Sequence, residues 1–278
     1  MHRTVLITGC SSGIGLALAQ AFLKNGDHVI ATARKVATME VLRKAGCEVL
    51  PLDVTDAQSR TDLLAALEQQ HDHIDLFINN AGISAMGPIV EIPEDTLQSQ
   101  FATNVIAPVM MVQVLLPLLR AAKKPVIVNV GSISGVLTTP FAGAYCASKA
   151  ALHSLSQAML MELAPFGIEV ITVQPGAIKS NFGQSAEQGV KAWLTESSLY
   201  HGIKDGILAR AGASQQNATP AKQFAETLIK KLASHQGTTF NIGRGSQLYP
   251  FIARWLPEQP RARLLSRRFG LNRLVVKP

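Results

Sequence analysis

The sequence predicts a single doubly wound α/β domain, with helices on both faces of one parallel sheet of about seven strands. Short runs of β-branched and other apolar residues, such as residues 126–130 and 169–173, alternate with longer stretches of helical periodicity. Strands that are apolar nearly throughout are typical of a parallel sheet that is covered on both faces. The 278 residues, 47% of them hydrophobic, suffice for one large domain.

The elements follow one another in a regular order. The predicted strands are residues 5–7, 28–32, 49–50, 76–78, 126–130, 169–173 and 238–242. The predicted helices are residues 14–24, 37–45, 57–70, 94–122, 145–166 and 220–233. Residues 105–119 are the most apolar region, and we expect a buried helix there and not a membrane span, because Pro108, Gln113 and Pro117 interrupt it. The alternation of strand-like and helical stretches is interrupted over residues 184–218.

A glycine-rich turn comes directly after the first strand. Gly9, Gly13 and Gly15 have the spacing G-x-x-x-G-x-G, and the next helix begins at the same point. Glycines in such a turn let the backbone approach a pyrophosphate, whose charge the helix N-terminus favours. The turn therefore predicts a Rossmann-type dinucleotide site.

Tyr145 and Lys149 open the helix over residues 145–166 and are four residues apart. Side chains with this spacing lie on the same helix face. A free tyrosine has a pKa of about 10, and an ammonium about 4 Å away is strong enough to lower that pKa toward neutrality. We therefore expect an acid/base pair. The alternative is an ordinary helix start with a surface lysine.

Further short motifs occur at the ends of the predicted strands and in the predicted long helix. Asn79-Asn80-Ala81-Gly82 ends the fourth strand, and Ser132 precedes Tyr145 by thirteen residues. Asn104 lies in the long helix, and Pro175-Gly176 with Ser180 follows the sixth strand. With the glycine turn and the Tyr-Lys pair, this set resembles the classical short-chain dehydrogenase/reductase family over residues 4–180 and the seventh strand. Gly131 and Ser180 depart from the family pattern, in which serine and threonine are more usual.

The resemblance implies an oxidoreductase that interconverts a hydroxyl and a carbonyl by hydride transfer. Tyr145 would be the general acid or base, Ser132 would hold the carbonyl oxygen, and Lys149 would hold the nicotinamide ribose. Asn104 would support a water that relays protons to Lys149. The cofactor-binding residues that it implies are Gly9, Ser11, Ser12, Gly13, Ile14, Gly15, Arg34, Asp53, Val54, Asn80, Ala81, Gly82, Tyr145, Lys149, Pro175, Gly176, Ile178 and Ser180.

The end of the second strand predicts the cofactor. It carries Arg34 and no carboxylate, and an arginine there can pair with the 2′-phosphate of NADP, with help from Lys35 and Ser11. The alternative is an ordinary solvated arginine. We expect NADP(H).

An apolar substrate is expected from the lid predicted over residues 184–218. Its apolar side chains, together with Leu137, suggest an apolar pocket, and the predicted substrate-binding residues are Met86, Ser132, Phe141, Tyr145 and Trp193. The sequences of the glycine turn and of the end of the second strand resemble those of the hydroxysteroid and retinol dehydrogenase branch. Steroids, retinoids and long-chain or aromatic ketones are therefore the candidate substrates. A non-catalytic NADP(H)-sensing binding protein is the alternative. Such a protein would not require Ser132, Tyr145 and Lys149, so the presence of all three argues against this alternative.

The tail is the most basic part of the chain. The net charge is +7, and from Phe251 onward there are seven basic residues against Glu258 alone, so we expect no nucleic-acid surface on the body. We divide the chain into a catalytic domain, residues 1–245, and a C-terminal extension, residues 246–278. Apolar residues recur at helical spacing from Leu248 to Leu256. This face either docks on the body beside the lid or lies on an anionic membrane surface.

Three further expectations follow from the sequence. Cys10, Cys47 and Cys146 have neither disulfide nor zinc spacing, which suits a reducing, cytoplasmic compartment. Residues 71–73 (His-Asp-His) indicate a solvated helix end, and we expect no metal site. The apolar stripes of the helices over residues 94–122 and 145–166 are wider than one sheet face needs, and the resemblance agrees, so we expect a homo-oligomer that is at least a dimer.

Overall fold

The computed structural model describes residues 3–234 and 237–274. Within them, seven strands form one sheet in the order β3-β2-β1-β4-β5-β6-β7, and every neighbouring pair is parallel. The strands are β1 Thr4–Thr8, β2 His28–Ala33, β3 Glu48–Pro51, β4 Leu76–Asn79, β5 Val126–Val130, β6 Glu169–Pro175 and β7 Thr239–Ile242. The predicted doubly wound sheet is confirmed.

Helices cover both faces of this sheet. The helices are α1 Gly13–Lys24, α2 Glu40–Ala45, α3 Ala57–Glu68, α4 Glu94–Phe101, α5 Ala107–Ala121, α6 Gly143–Leu163, α7 Phe182–Trp193, α8 Lys204–Gly212, α9 Ala221–Ala233, α10 Leu248–Trp255 and α11 Glu258–Arg268. One core layer contains Phe22, Phe224 and Phe240, and the layer on the other face contains Met111 and Met159. Burying each of these large side chains contributes roughly 1.5–3 kcal/mol.

Helices α4 and α5 are joined by a π-helical turn, Ala102–Ile106, into one long helix. Among the described residues this helix, Glu94–Ala121, is the one whose length and hydropathy would suit a membrane span. Its apolar side nevertheless packs on the sheet, because Met111, Leu115 and Leu119 are fully buried in the core. The predicted buried helix is confirmed.

The lid predicted over residues 184–218 is more regular than its sequence pattern suggested. It contains most of α7 and all of α8, and the two helices pack on each other. Ala186 and Val190, one helical turn apart, are buried with Ile203 and Ile207 in a third apolar cluster. The helical period of α7 is weak in the sequence because two of its three buried residues, Gly183 and Ala186, are small.

The C-terminal tail docks with one side and leaves another side exposed. Phe269 is buried in the lid cluster, and Arg273 pairs with Asp205 of α8 at 2.8 Å. The predicted helix from Leu248 is confirmed as α10, and its apolar stripe remains exposed at Leu248, Phe251 and Trp255. Lys277, counted above in the basic tail, lies outside the described residues.

The oligomeric state stays a prediction. Helix α6 exposes Met161 to solvent, with Ile106 also exposed on the long helix. We expect light scattering at micromolar concentration to give at least a dimer, which Met161→Asp should weaken by placing a charge in an apolar interface. Val41→Asp, an exposed valine on α2, is the matched control. A monomeric wild-type protein would contradict the prediction.

Candidate active site

The predicted site residues meet at the carboxyl edge of the sheet. Between β1 and β4 the strand order changes direction, and in open α/β sheets this is where ligands bind. A cleft of about 670 Å³ opens there. Most of the predicted residues line it, namely Gly9, Ser11, Ser12, Gly13, Ile14, Arg34, Asp53, Val54, Asn80, Ala81, Gly82, Met86, Ser132, Tyr145, Lys149, Pro175, Gly176, Ile178 and Ser180.

The glycine turn is compact because its glycines touch neighbouring backbone. Gly9 has a φ of +74°, and a Cβ there would come within 2.9 Å of the Ala81 Cα. Gly15 lies beneath the turn, outside the cleft lining, where a Cβ would overlap the Gly9 carbonyl. Asn80 braces the turn by donating to the carbonyls of Thr8 and Gly9 at 2.8 and 3.2 Å. Side chains larger than hydrogen have no room here.

The N-terminus of α1 suits a pyrophosphate. Ser12 stands at the N-cap with its side chain making no capping hydrogen bond, and the first turn contains no acidic residue. The first N–H groups of a helix lack intrahelical acceptors, so they are available to an anion. Gly13 has a φ of +58°, and a Cβ there would lie 3.0 Å from Ser180. The lack of a side chain at Gly13 therefore keeps this part of the cleft open. These residues fit a dinucleotide.

Arg34 lies at the far end of the cleft, exposed at the end of β2. No hydrogen bond or ion pair holds its guanidinium among the residues that the structure describes. Asp53 is nearby, and hydrogen bonds from Thr55, aided by the charges of Arg34 and Arg60, lower the pKa of its carboxyl. A free guanidinium is therefore available to an incoming anion.

Ser132, Tyr145 and Lys149 form a buried group in the middle of the cleft. Each is at most 8% exposed. Ser132 caps a short helix by accepting from Ser134 N–H at 3.1 Å, and its hydroxyl lies beside the Tyr145 phenol. The Tyr145 ring packs against Phe182 at a centroid distance of 5.5 Å. The two hydroxyls can donate to one substrate oxygen.

The expected effect of Lys149 on the pKa of Tyr145 is not observed. Burial raises the pKa of Tyr145 to about 12, and the hydrogen bond from Ser132 opposes this rise. The Lys149 Nζ, 6.0 Å from the Tyr145 ring centroid, donates to the Val130 carbonyl at 2.9 Å. Burial also lowers the pKa of Lys149 to about 8. Desolvation dominates because the phenol is enclosed, and the charge that opposes the rise is that of Arg210 and not that of Lys149.

Asn104 is fully buried in the π-helical turn and does not line the cleft. Its side chain donates to the Ile83 carbonyl and accepts from the Ile83 N–H, both at 2.9 Å. It also donates to the Ser148 hydroxyl at 3.1 Å. A Cβ on Gly82 would lie 3.3 Å from Asn104 Oδ1 and 3.7 Å from Lys149 Nζ, so the two polar groups approach Gly82 together.

His153, on α6, packs against Gly131 and Gly135. Burial, and then the charge of Lys149, lower its pKa to about 4, so the ring is neutral at physiological pH. Its Nε2 accepts a hydrogen bond from the Ser132 N–H at 3.3 Å. A Cβ on Gly131 would overlap this ring, so the packed His153 requires glycine at position 131.

Two predicted substrate-binding residues lie behind the cleft wall. Phe141 is buried in the lid cluster and packs edge-on against Tyr200, with ring centroids 6.1 Å apart. Trp193 covers Gly87 and lines a separate cavity of about 400 Å³. Neither lines the main cleft. Of the five predicted substrate-binding residues, Met86, Ser132 and Tyr145 therefore remain at the cleft surface.

The fold also assembles groups that the sequence analysis missed. Arg210, in the lid, lines the cleft although its local pattern indicates only a solvated arginine.

At the opposite, amino-terminal edge of the sheet, His28, Glu48 and His71 have ligand atoms within 4.8 Å of one another. This group has the ligand types that a divalent cation can use, and the expectation of no metal site stays a prediction. No local spacing could have shown it, since three separate elements supply the residues.

Comparison with known proteins identifies the family. The family model described as short chain dehydrogenase matches residues 3–191. The chain belongs to this family. A Helicobacter pylori protein named probable short-chain type dehydrogenase/reductase VdlC is 32% identical over 257 residues, 91% of this chain and 92% of that protein. The NADPH-dependent 1-acyldihydroxyacetone phosphate reductase of Schizosaccharomyces pombe is 34% identical over 249 residues, 88% of this chain and 80% of that protein.

A solved structure supports the same assignment. A short-chain dehydrogenase from Streptomyces avermitilis superposes with a TM-score of 0.78 at 29% identity, covering 98% of this chain and 95% of that chain. This short-chain dehydrogenase is therefore an oxidoreductase that acts on CH–OH groups, and its family binds NAD(H) or NADP(H).

Proposed function

We propose that the protein is an NADP(H)-dependent oxidoreductase that interconverts a hydroxyl and a carbonyl on an apolar substrate. The observation that carries the proposal is the enclosure of Ser132, Tyr145 and Lys149 in one cleft, between the glycine turn and the lid. A bound nicotinamide cofactor supplies the hydride in reduction and accepts it in oxidation.

The protein's own residues handle the oxygen and the proton. Ser132 and Tyr145 donate hydrogen bonds to the substrate oxygen, where negative charge develops during reduction. With its pKa at about 12, Tyr145 holds its proton at neutral pH and can deliver it as a general acid. Lys149, fixed by the Val130 carbonyl, is placed to hold the nicotinamide ribose. Asn104 positions the Ile83 backbone and supports the proton path to Lys149.

The preference for NADP(H) rests on Arg34. A free, exposed guanidinium at the end of β2 matches a 2′-phosphate in charge and in hydrogen-bonding geometry. The Schizosaccharomyces pombe relative, whose name states NADPH dependence, supports the same choice.

The experiment is a turnover assay. Purified protein with NADPH or NADH is tested against steroid, retinoid, long-chain and aromatic carbonyl compounds, and the loss of reduced cofactor is followed. We expect turnover of at least one class, with NADPH preferred. Tight cofactor binding with no turnover of any class would instead favour a cofactor-sensing binding protein.

We also propose that the tail contacts a membrane. Leu248, Phe251 and Trp255 form an exposed apolar stripe, with Leu264 exposed on α11 among arginines. On an anionic bilayer the apolar burial adds to about 1 kcal/mol for each nearby basic residue. The apolar face of α10 does not dock on the body, which was the other alternative of the sequence analysis; the part of the tail that docks on the lid is around Phe269.

Vesicle co-sedimentation tests the membrane contact. The full chain should bind anionic vesicles, bind neutral vesicles weakly, and be released by high salt. The triple variant Leu248→Gln, Phe251→Gln, Trp255→Gln should bind about tenfold more weakly or worse, because three apolar side chains no longer enter the bilayer. Val90→Gln, at an exposed valine outside the tail, is the control. Binding that ignores lipid charge, or that the triple variant retains, would contradict the proposal.

A further inference from the structure

Arg210 is a buried arginine without a carboxylate partner. It lies in the last turn of α8 with 8% of its surface exposed, and its Nε donates to the Thr139 hydroxyl at 2.6 Å. An arginine has five N–H donors. Among the described residues no hydrogen bond or ion pair occupies the other four. A buried charge of this kind is costly unless an anion meets it.

The guanidinium lies at the reacting end of the cleft. Arg210, Thr139 and Tyr145 line the same cavity. Burial raises the pKa of Tyr145, and the charge of Arg210 opposes that rise, as expected for two groups that line one cavity. An anion held by Arg210 would therefore belong to a molecule that also reaches Tyr145.

A second arginine approaches from the tail. Arg268, on α11, lines the cleft together with its neighbours Leu265 and Phe269. Burial lowers the pKa of Arg210, and the charge of Arg268 acts in the same direction. Two like charges repel each other. An anion bound between them would be attracted to both, and these attractions would offset the repulsion.

The surrounding acids do not neutralise these arginines. Asp205, on the helix of Arg210, is paired with Arg273. Glu187 approaches Gly212 at the end of the same helix and, among the described residues, makes no ion pair with Arg210. Of the described residues that line the cleft, Asp53 is the one acid, and it lies at the far end beside Arg34.

We propose that Arg210 and Arg268 form an anion subsite, and that the substrate is a ketone or alcohol whose apolar body ends in a carboxylate or a phosphate monoester. The inference rests on the proposed function and narrows its substrate class. Guanidinium groups bind both kinds of anion in a bidentate manner. The apolar body would lie along Met86, Leu137 and Phe182, which line the same cleft.

The activity test compares matched substrates. Aliphatic ketones are assayed against keto acids of the same chain length and against phosphate monoesters of hydroxyketones, with saturating NADPH. We expect kcat/KM to be roughly 10- to 100-fold higher for one or both anionic series, as befits hydrogen bonds to a charged group. The two anionic arms decide between carboxylate and phosphate. Equal kcat/KM values for neutral and anionic ketones would overturn the proposal.

Variants assign the effect to the two arginines. Arg210→Met and Arg268→Gln should each reduce the preference for anionic substrates by about tenfold or more, whereas Arg210→Lys should retain part of it. Arg267→Gln, at an exposed neighbour of Arg268 that does not line the cleft, is the control. Arg268 is exposed, so its variant tests the proposal even if Arg210→Met fails to fold. Equal losses for neutral and anionic substrates would contradict the subsite.

A binding measurement separates this proposal from the proposed function. Calorimetric titration of the NADPH-saturated protein with decanoate, decyl phosphate and decanol needs no turnover. We expect at least one anionic probe to bind tenfold or more tightly than decanol, and Arg210→Met to remove the difference. If no ketone is reduced but this difference is present, the proposed function fails and the anion subsite stands. If decanol binds as tightly as both anions, the subsite is wrong.

Discussion

Replacing Tyr145 with phenylalanine is expected to lower kcat by about 10²–10⁴-fold and to leave NADPH binding nearly unchanged. The variant keeps the ring that packs against Phe182 and loses only the hydroxyl that delivers the proton. Ser132 would remain as a donor to the substrate oxygen, so a small residual rate is expected. The measurements are steady-state kcat and the Kd for NADPH, obtained by fluorescence titration.

The matched control for this prediction is Tyr200→Phe. Tyr200 belongs to the lid, packs against Phe141 and does not line the cleft, so its hydroxyl should be dispensable. Retention of more than about a tenth of the wild-type kcat by Tyr145→Phe would show that another group handles the proton. A large loss of NADPH affinity would instead place Tyr145 mainly in cofactor binding.

Arg34→Asp is expected to move the cofactor preference from NADPH toward NADH by on the order of 100-fold in the ratio of kcat/KM values. The substitution removes a charge-assisted partner of the 2′-phosphate and adds a carboxylate that repels it. The same carboxylate can accept hydrogen bonds from the ribose hydroxyls of NADH. Because Arg34 is exposed and makes no hydrogen bond or ion pair among the described residues, stability should change little.

Lys44→Asp makes the same change of charge at an exposed position on α2 outside the cleft. It controls for the general effect of net charge on binding of an anionic cofactor. An unchanged kcat/KM ratio in Arg34→Asp would mean that Arg34 does not contact the phosphate. An equal shift in both variants would attribute the preference to the overall field of the protein.

The parts of the site that the sequence predicted well are those set by local geometry. Tyr145 and Lys149 share a helix face because they are four residues apart, and both line the cleft. The Gly9 to Gly15 turn follows β1 and opens α1 as its spacing predicted. The pKa of Tyr145 could not be predicted in this way, because it depends on how completely distant segments enclose the phenol.

The sequence by itself determined the sheet, its parallel strands and the residues gathered at its carboxyl edge, because periodicity and strand-to-helix turns are encoded within a few neighbouring residues. Tertiary structure alone decided what surrounds them. It placed Phe141 and Trp193 behind the cleft wall, and it brought Arg210 and Arg268 to the cleft from separate helices. Such placements depend on the packing of distant segments and on which charges lose their solvent, and no local pattern carries that information.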